Sequence, residues 1–256
     1  MDYASKHYLC QLAENMILYA NTNLPMRSPE LSIVIPAYNE ATHLQAVITE
    51  MVRALDNSGI AYEVCIVNNG STDNTSFVVS ELEKKHATVT HVYLEKNQQY
   101  GGGIAAGLAA AHGEVLGWVH ADGQANPEDI VRLYLAMRAE GCDLAKAIRA
   151  ESHETTGRKL QSSIYNWLFR WMFWTRYRDI NGTPRLLTRK AAGILKLKSR
   201  DWFLEPEFVI KSLQHKMPIV EIDTVWRTRR GGATKARPLT GLEFLKNMLL
   251  YRFGLK

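Results

Sequence analysis

An α/β fold with a mostly parallel central sheet is predicted by three features of this chain. Short apolar, β-rich runs alternate with stretches of helical length between residues 31 and 148. Polar, glycine-containing segments follow several of those runs, as expected where strands end at a ligand-binding edge. The 256 residues are 46% hydrophobic and 22% charged, which suits one large core or two small ones.

The elements follow in order. Residues 2–23 carry Tyr8, Leu12, Met16 and Tyr19 at helical spacing, which predicts an amphipathic helix. Asn23, Pro25, Ser28 and Pro29 break it and place a boundary near residue 30. Leu31–Ile35 reads as a strand, and a helix over 41–57 ends near Gly59. Tyr62–Val67 is a second strand, 74–86 a second helix and Val89–Leu94 a third strand. The Gly/Ala-rich stretch 101–112 fits a helix packed closely on a sheet. Val115–Val119 is a fourth strand, 127–140 a helix opened by Pro127, and Leu144–Ile148 a further strand.

The second half differs. Residues 158–177 are rich in aromatics interleaved with arginine and lysine, and 241–256 alternate apolar and basic residues. Such segments either lie in a membrane interface or pack on the sheet with their cations solvated; the pattern leaves both open.

The totals exclude several classes. A net charge of +5 is mild, and Lys and Arg are not bunched as in a DNA-binding arm, so no nucleic-acid partner is expected. Cys10, Cys65 and Cys142 are scattered without metal-type spacing or a disulfide framework. No apolar run approaches the roughly 20 residues of a transmembrane helix, and the N-terminus lacks the signature of a signal peptide. A cytoplasmic location is therefore expected, including the cytoplasmic face of a membrane.

The run Val119-His120-Ala121-Asp122-Gly123-Gln124 is the sharpest chemical signal. In an extended segment the side chains at 120, 122 and 124 point the same way. An imidazole, a carboxylate and an amide oxygen there can hold a divalent cation and leave positions open for phosphate oxygens. The plainer reading is a set of polar residues capping a strand before a turn. Gly101-Gly102-Gly103-Ile104-Ala105-Ala106-Gly107 has a spacing seen in dinucleotide-binding folds. However, Glu95–Tyr100 separate it from the preceding strand, and no Tyr-x-x-x-Lys pair follows, which disfavours a nicotinamide enzyme.

Four segments occur in order: Pro-Ala-Tyr-Asn-Glu at 36–40, Asn-Asn-Gly-Ser-Thr-Asp at 68–73, the glycines at 101–103, and His-Ala-Asp-Gly-Gln at 120–124. The ordered set resembles the family 2 glycosyltransferases with a GT-A-type, Rossmann-like fold, most nearly the dolichyl- and polyprenyl-phosphate sugar synthases, over residues 31–235. The resemblance implies a catalytic domain at 31–235, with helical extensions at 1–30 and 236–256. It implies that Pro36, Ala37, Tyr38 and Glu40 embrace the nucleotide of a UDP- or GDP-type sugar donor. Val67 and Asn69 then stand where the family meets the base, and Gly102, His120, Ala121 and Asp122 complete the donor site. The family's Asp-x-Asp-x-Gln becomes His120, Asp122 and Gln124 as metal ligands; the nitrogen donor predicts Mn2+ over Mg2+. Arg149, Arg158, Arg229 and Lys235 match phosphate-contacting positions, the last two in a loop resembling Arg-x-x-Gly-x-Ser-Lys.

The implied reaction is an inverting, metal-dependent transfer of a hexose to a polyprenyl or dolichyl phosphate. A hydroxyl acceptor needs a carboxylate base, for which Asp201 and Glu205 are candidates. A lipid phosphate is already ionised and needs none. Peripheral membrane contact through 158–178 and 241–256 accompanies the lipid acceptor. Two alternatives stay open: a saccharide or protein acceptor in surface glycan assembly, and a non-catalytic nucleotide-sugar binder or membrane-associated scaffold.

Overall fold

The computed structural model describes residues 28–152, 156–228 and 240–255. The helix expected at 2–23 and the loop carrying Arg229 and Lys235 lie outside them, as does the side chain of Arg158. In chain order the elements are β1 (Leu31–Ala37), α1 (Leu44–Asp56), β2 (Tyr62–Asn69), α2 (Thr75–Lys85) and β3 (Val89–Leu94). There follow α3 (Gln99–Ala110), β4 (Val115–Trp118), α4 (Pro127–Ala139), β5 (Leu144–Ser152) and α5 (Thr156–Phe173). The chain continues through β6 (Arg185–Thr188), α6 (Arg189–Leu195), α7 (Leu204–Gln214), β7 (Ile219–Trp226) and α8 (Thr240–Arg252).

The seven strands form one sheet in the order β3-β2-β1-β4-β6-β5-β7. Only β6 runs against its neighbours, pairing antiparallel with β4 and β5. The C-terminal ends of β1, β2, β4, β5 and β7 therefore share one edge, and the start of β6 meets it at Arg185, opposite Trp118.

Period-2 alternation divides the core between the two faces of the sheet. Ile33, Ile35, Val64, Ile66 and Val119 pack under α1 and α4, whereas Val34, Cys65, Val67 and Trp118 belong to a second core with Phe169, Phe203 and Phe208. Small residues bring α3 close to this second face. A Cβ at Gly107 would lie 2.3 Å from Val34 Cγ1 and 2.8 Å from Val67 Cγ2, so the Gly/Ala-rich helix sits directly on β1 and β2. Cys65 is buried there, and burial pushes its thiol up to about 12.

Glu207 on α7 shows how the irregular second half is secured. Its fully buried carboxylate accepts from the backbone N–H groups of Lys198 (2.9 Å) and Ser199 (2.7 Å) and lies 2.9 Å from Lys211 Nζ. Burial pushes its pKa up, but Lys211 and the backbone donors outweigh that and hold it below the usual carboxylate range. A depressed folded value contributes stability that is complete above the unfolded value of about 4.3 and is lost as pH falls through the folded value. Glu207→Gln is expected to lower the unfolding free energy at pH 7 by about 2 kcal/mol. The gap from wild type should close as the pH falls below about 4. Urea unfolding at a series of pH values checks this, and a pH-independent gap would refute it.

Candidate active site

The first two strand-end loops are tied together before any ligand is considered. After β1, Asn39 adopts φ 55, and its side-chain oxygen accepts from Thr72 N at 2.8 Å. Asn39 N donates to Ser71 Oγ, Glu40 N to Thr75 Oγ1 and Ala41 N to Asp73 Oδ2. Asp73 Oδ1 also caps the start of α2 through Thr75 N at 3.0 Å. Burial raises the Asp73 carboxyl, but the bonds from Thr75 and Ala41 prevail and hold it below its ordinary range. Gly70 is required at this turn: it has φ +68, and a Cβ there would stand 2.5 Å from Asn97 N. Tyr38 and Glu40 sit half-buried on the resulting platform, with Glu40 Oε2 2.8 Å from His43 Nε2.

Asn69 joins this platform to α3. Its amide donates to Gln99 O at 2.8 Å, and its oxygen accepts from Gln98 N at 2.8 Å. Both of its polar atoms thus hold α3 rather than face an open site. The glycines at 101–103 answer the same packing demand. A Cβ at Gly101 would lie 2.3 Å from Ser199 O, one at Gly103 would lie 2.9 Å from Asn69 Nδ2, and Gly102 N donates to Arg200 O at 2.9 Å. These glycines let the 199–201 segment and Asn69 close on the helix, and the Gly102 N–H is committed to a protein carbonyl.

The third segment departs from the simple strand picture. β4 ends at Trp118, and residues 121–123 form a turn with Gly123 at φ +71. Convergence of positions 120, 122 and 124 by strand alternation therefore does not apply. Asp122 is 6% exposed, and its Oδ1 accepts from Gln124 N at 3.1 Å. Gln124 is fastened to the end of β7: its carbonyl accepts from Arg227 N at 2.9 Å. Arg227 in turn pairs with Glu50 and donates to Asn126 Oδ1 at 2.7 Å. The His120 ring points into an aromatic box. Its centroid lies 5.2 Å from Tyr100, 5.8 Å from Trp202 and 6.0 Å from Trp226, with Tyr100 and Trp202 stacked at 4.1 Å. Among the described residues, no group of three His, Cys, Asp or Glu side chains is placed to enclose a metal ion. Asp122 is the carboxylate this turn offers, so a cation here would need ligand oxygens to complete its shell.

Behind the box lies a buried ionic group. Glu205 is 2% and Arg185 0% exposed, with Arg185 Nε 2.5 Å from Glu205 Oε2. Glu205 Oε1 accepts from Tyr100 OH at 2.7 Å and from Trp118 Nε1 at 2.9 Å. Burial, then the neighbouring Glu205 charge, drive the Tyr100 hydroxyl well above its ordinary value, so Tyr100 stays a donor. Arg149 at the end of β5 forks onto Asp179, Nε–Oδ2 2.8 Å and Nη2–Oδ1 2.6 Å, and lies 4.9 Å over the Trp226 ring. Burial raises the Asp179 carboxyl, but Arg149 overcomes this and holds it below the carboxylate range.

The expected residues thus divide. Pro36, Ala37, Tyr38, Glu40, His120, Ala121, Asp122, Gln124 and Arg149 gather at one edge of the sheet. Val67 is a core side chain, fully buried against α3, because period-2 alternation turns it onto the face of the sheet that this helix covers. Asn69 and Gly102 are structural ties. Glu205 is corrected as a candidate base: its carboxylate is locked in the interior by Arg185, Tyr100 and Trp118. Asp201 accepts from Phe203 N at 2.9 Å beside the start of α7. The sequence reading missed the box residues Tyr100, Trp202 and Trp226. Tyr100 adjoins the glycine run, but the two tryptophans are distant in sequence and carry no local motif.

Comparison with known proteins now adds to the geometry. The family model described as glycosyl transferase family 2 matches residues 32–198. A curated relative, the dolichyl-phosphate beta-glucosyltransferase ALG5D of Trichomonas vaginalis, is 24% identical over 97% of this chain and 83% of its own length. Among solved structures, glucosyl-3-phosphoglycerate synthase of Mycobacterium tuberculosis in complex with Mn2+, UDP and phosphoglyceric acid superposes with a TM-score of 0.68. It is 19% identical, over 88% of this chain and 79% of that one. The same synthase with Mg2+ and UDP gives a TM-score of 0.66 at 20% identity, over 88% of this chain and 80% of that one. At these identities the solved structures establish the fold.

The locked state of Glu205 has a measurable consequence. Glu205→Gln leaves Arg185 charged and buried without its counter-ion, and is expected to cost about 3 kcal/mol of unfolding free energy. Urea unfolding at neutral pH reads this directly; a loss under about 1 kcal/mol would be the value of an exposed pair and would contradict the burial argument.

Proposed function

The chain belongs to glycosyl transferase family 2 and is a transferase, and we propose that it moves a hexose from a nucleoside diphosphate sugar to a dolichyl or polyprenyl phosphate. The observation that carries the acceptor reading is the state of the two acceptor-side carboxylates. Glu205 is sequestered in an ion pair and is not set up as a base, and Asp201 Oδ1 is taken up by a backbone N–H at the start of α7. A phosphate nucleophile needs no base at neutral pH, whereas a sugar or protein hydroxyl does. The curated relative named for a dolichyl-phosphate acceptor, matched over 97% of this chain, supports the same reading. A lipid-borne acceptor also requires the enzyme to meet a bilayer, at its cytoplasmic face.

The residues take the following roles. Tyr38 and Glu40, on the platform built by the first two loops, receive the nucleoside, the ring by stacking and the carboxylate by accepting hydrogen bonds. Asp122 is the residue that would hold a divalent cation, which would neutralise charge on the leaving diphosphate. The solved neighbours bound to UDP with Mn2+ or Mg2+ support a divalent ion of either kind. Manganese preference rests on His120, whose imidazole replaces a carboxylate. Arg149, forked onto Asp179, is assigned an orienting hydrogen-bond role toward phosphate oxygens, and Arg229 and Lys235 are assigned the diphosphate clamp. An acceptor phosphate oxygen attacks the anomeric carbon from the face opposite the leaving group. The new C–O bond forms as the bond to the nucleoside diphosphate breaks, and the diphosphate leaves with the electron pair, inverting that carbon.

A second reading has one observation in its favour: the solved neighbour carries phosphoglyceric acid, a small phosphorylated acceptor. Such an acceptor would react through a hydroxyl and so need a base, unlike a lipid phosphate, and transfer assays with each separate the two readings.

A thermal-shift screen of UDP, GDP, CDP and dTDP, each with and without Mn2+, is expected to give a metal-dependent rise with one nucleotide through linkage. With that donor, Asp122→Ala should lower turnover by roughly a thousandfold, since several kcal/mol of charge stabilisation depend on its ligand. Near-normal turnover would remove Asp122 from the site. His120→Asp should raise activity with Mg2+ relative to Mn2+; an unchanged ratio would show that His120 is not a ligand.

A further inference from the structure

Helix α5 has two apolar faces, and only one is used by the fold. Phe169 and Met172 are buried, and Tyr165, Leu168 and Phe173 pack against the same core. The opposite stripe consists of Leu160, Ile164, Trp167, Trp171 and Trp174, at steps of four, three, four and three residues. These side chains are 62%, 57%, 60%, 64% and 84% exposed. Three of the six tryptophans of the chain stand on this stripe, so the apolar surface is concentrated rather than scattered. Trp174 ends the helix at φ 52, a position where glycine is the usual residue. The backbone gains nothing from a tryptophan there; its ring extends the stripe.

Helix α8 lies beside α5 and exposes apolar side chains of its own. Tyr165 and Phe244 meet at a centroid distance of 5.6 Å, which fixes α8 beside α5. Phe244, Met248 and Tyr251 point inward, whereas Leu245, Leu249, Phe253 and Leu255 are exposed.

Charge identifies the occupant. Residues 155–178 contain Arg158, Lys159, Arg170, Arg176 and Arg178 and no Asp or Glu. Lys159, Arg170 and Arg176 are exposed, as are Lys246 and Arg252 on α8, against one exposed acid on α8, Glu243. A second copy docked through this face would set cations against cations. An anionic surface pairs with them while the tryptophans and leucines enter the acyl boundary. Among the described residues, no helix is long and apolar enough to cross a membrane, so the contact is interfacial.

We propose that the α5 stripe and the adjoining outer face of α8 dock the protein flat on an anionic lipid bilayer. This deepens the lipid-acceptor reading and rests on it for its purpose, while the surface itself can be tested without acceptor or donor. The test is flotation of the full chain with phosphatidylcholine vesicles, with and without about one third phosphatidylserine. Flotation should be at least roughly tenfold stronger with the anionic lipid and should fall with added salt. Trp171→Ser/Trp174→Ser should weaken it by roughly tenfold or more, and Arg170→Glu/Arg176→Glu should abolish the anionic preference. Both variants should keep the wild-type unfolding midpoint and nucleotide-induced shift, since these side chains are exposed. Absence of flotation with either vesicle overturns the proposal, as does flotation that the tryptophan variant leaves unchanged. Concentration-dependent dimerisation lost in the tryptophan variant would overturn it in favour of a second copy. Transfer to a short, water-soluble polyprenyl phosphate separates the two ideas: flotation lost with that transfer intact refutes the docking surface alone.

Discussion

The buried pair of Arg185 and Glu205 is the interaction on which the rest of this architecture depends. Arg185 opens the one antiparallel strand, opposite Trp118, and Glu205 lies in the first turn of α7. Their contact ties the sheet to that helix, while Glu205 also accepts from Trp118 on β4 and Tyr100 on α3. The guanidinium further donates to the carbonyls of Ile180, Gly182 and Glu205 and lies 4.9 Å over the Phe208 ring. Two charges so buried are costly to desolvate, and the cost is tolerable only because nearly every donor and acceptor has a partner. Such an arrangement specifies one geometry. If β6 or α7 slipped, both ions would lose their partners together.

That geometry delivers the site. Trp118 is the last residue of β4, and the turn bearing Asp122 follows it directly. Fixing Trp118 from below by Glu205 therefore fixes where that turn begins. Tyr100, held by the same carboxylate, stacks on Trp202 and forms two sides of the box around His120. The glycines of α3 let the 199–201 segment approach closely enough for this stacking. The loops after β1 and β2 are fixed differently, by short polar bonds among Asn39, Ser71, Thr72 and Asp73. The side of the edge at β1 and β2 is thus organised locally, and the side nearer β6 and β7 by long-range ion pairing.

This difference explains what could be read from the sequence. Strand–helix alternation over 31–148 is a local signal, and its elements appear within a few residues of their expected ends. The polar loops could be read for the same reason: Asn-Gly-Ser-Thr-Asp is a turn whose bonds are made within its own vicinity or with the neighbouring loop. What failed was anything dependent on facing. Val67 falls in a promising position along the chain, yet alternation buries it against Gly107. Glu205 is a candidate base in sequence, but its partner is twenty residues earlier and its other contacts more than eighty. The sequence predicts an extended 120–124 run, whereas Gly123 at positive φ turns it and places Asp122 by an Asx-type bond instead. The outward stripe of α5 was visible only as composition, because a helix with two apolar faces does not reveal which one the core takes.

The replacement of a carboxylate by His120 acquires a physical sense under the proposed reaction. A diphosphate leaving group and an ionised acceptor phosphate must approach one another across a single carbon, and every fixed anion nearby raises the energy of that encounter. A hydroxyl acceptor needs a base at this encounter, and an ionised phosphate acceptor does not. In this chain the turn keeps Asp122, the neighbouring position carries an imidazole among aromatic rings, and Glu205 is neutralised by Arg185. Asp179, the remaining carboxylate near the end of β5, is matched by Arg149 through a two-point fork. Glu205 and Asp179 are thus each paired with an arginine. That balance fits a site in which two phosphates, rather than a phosphate and an alcohol, must meet.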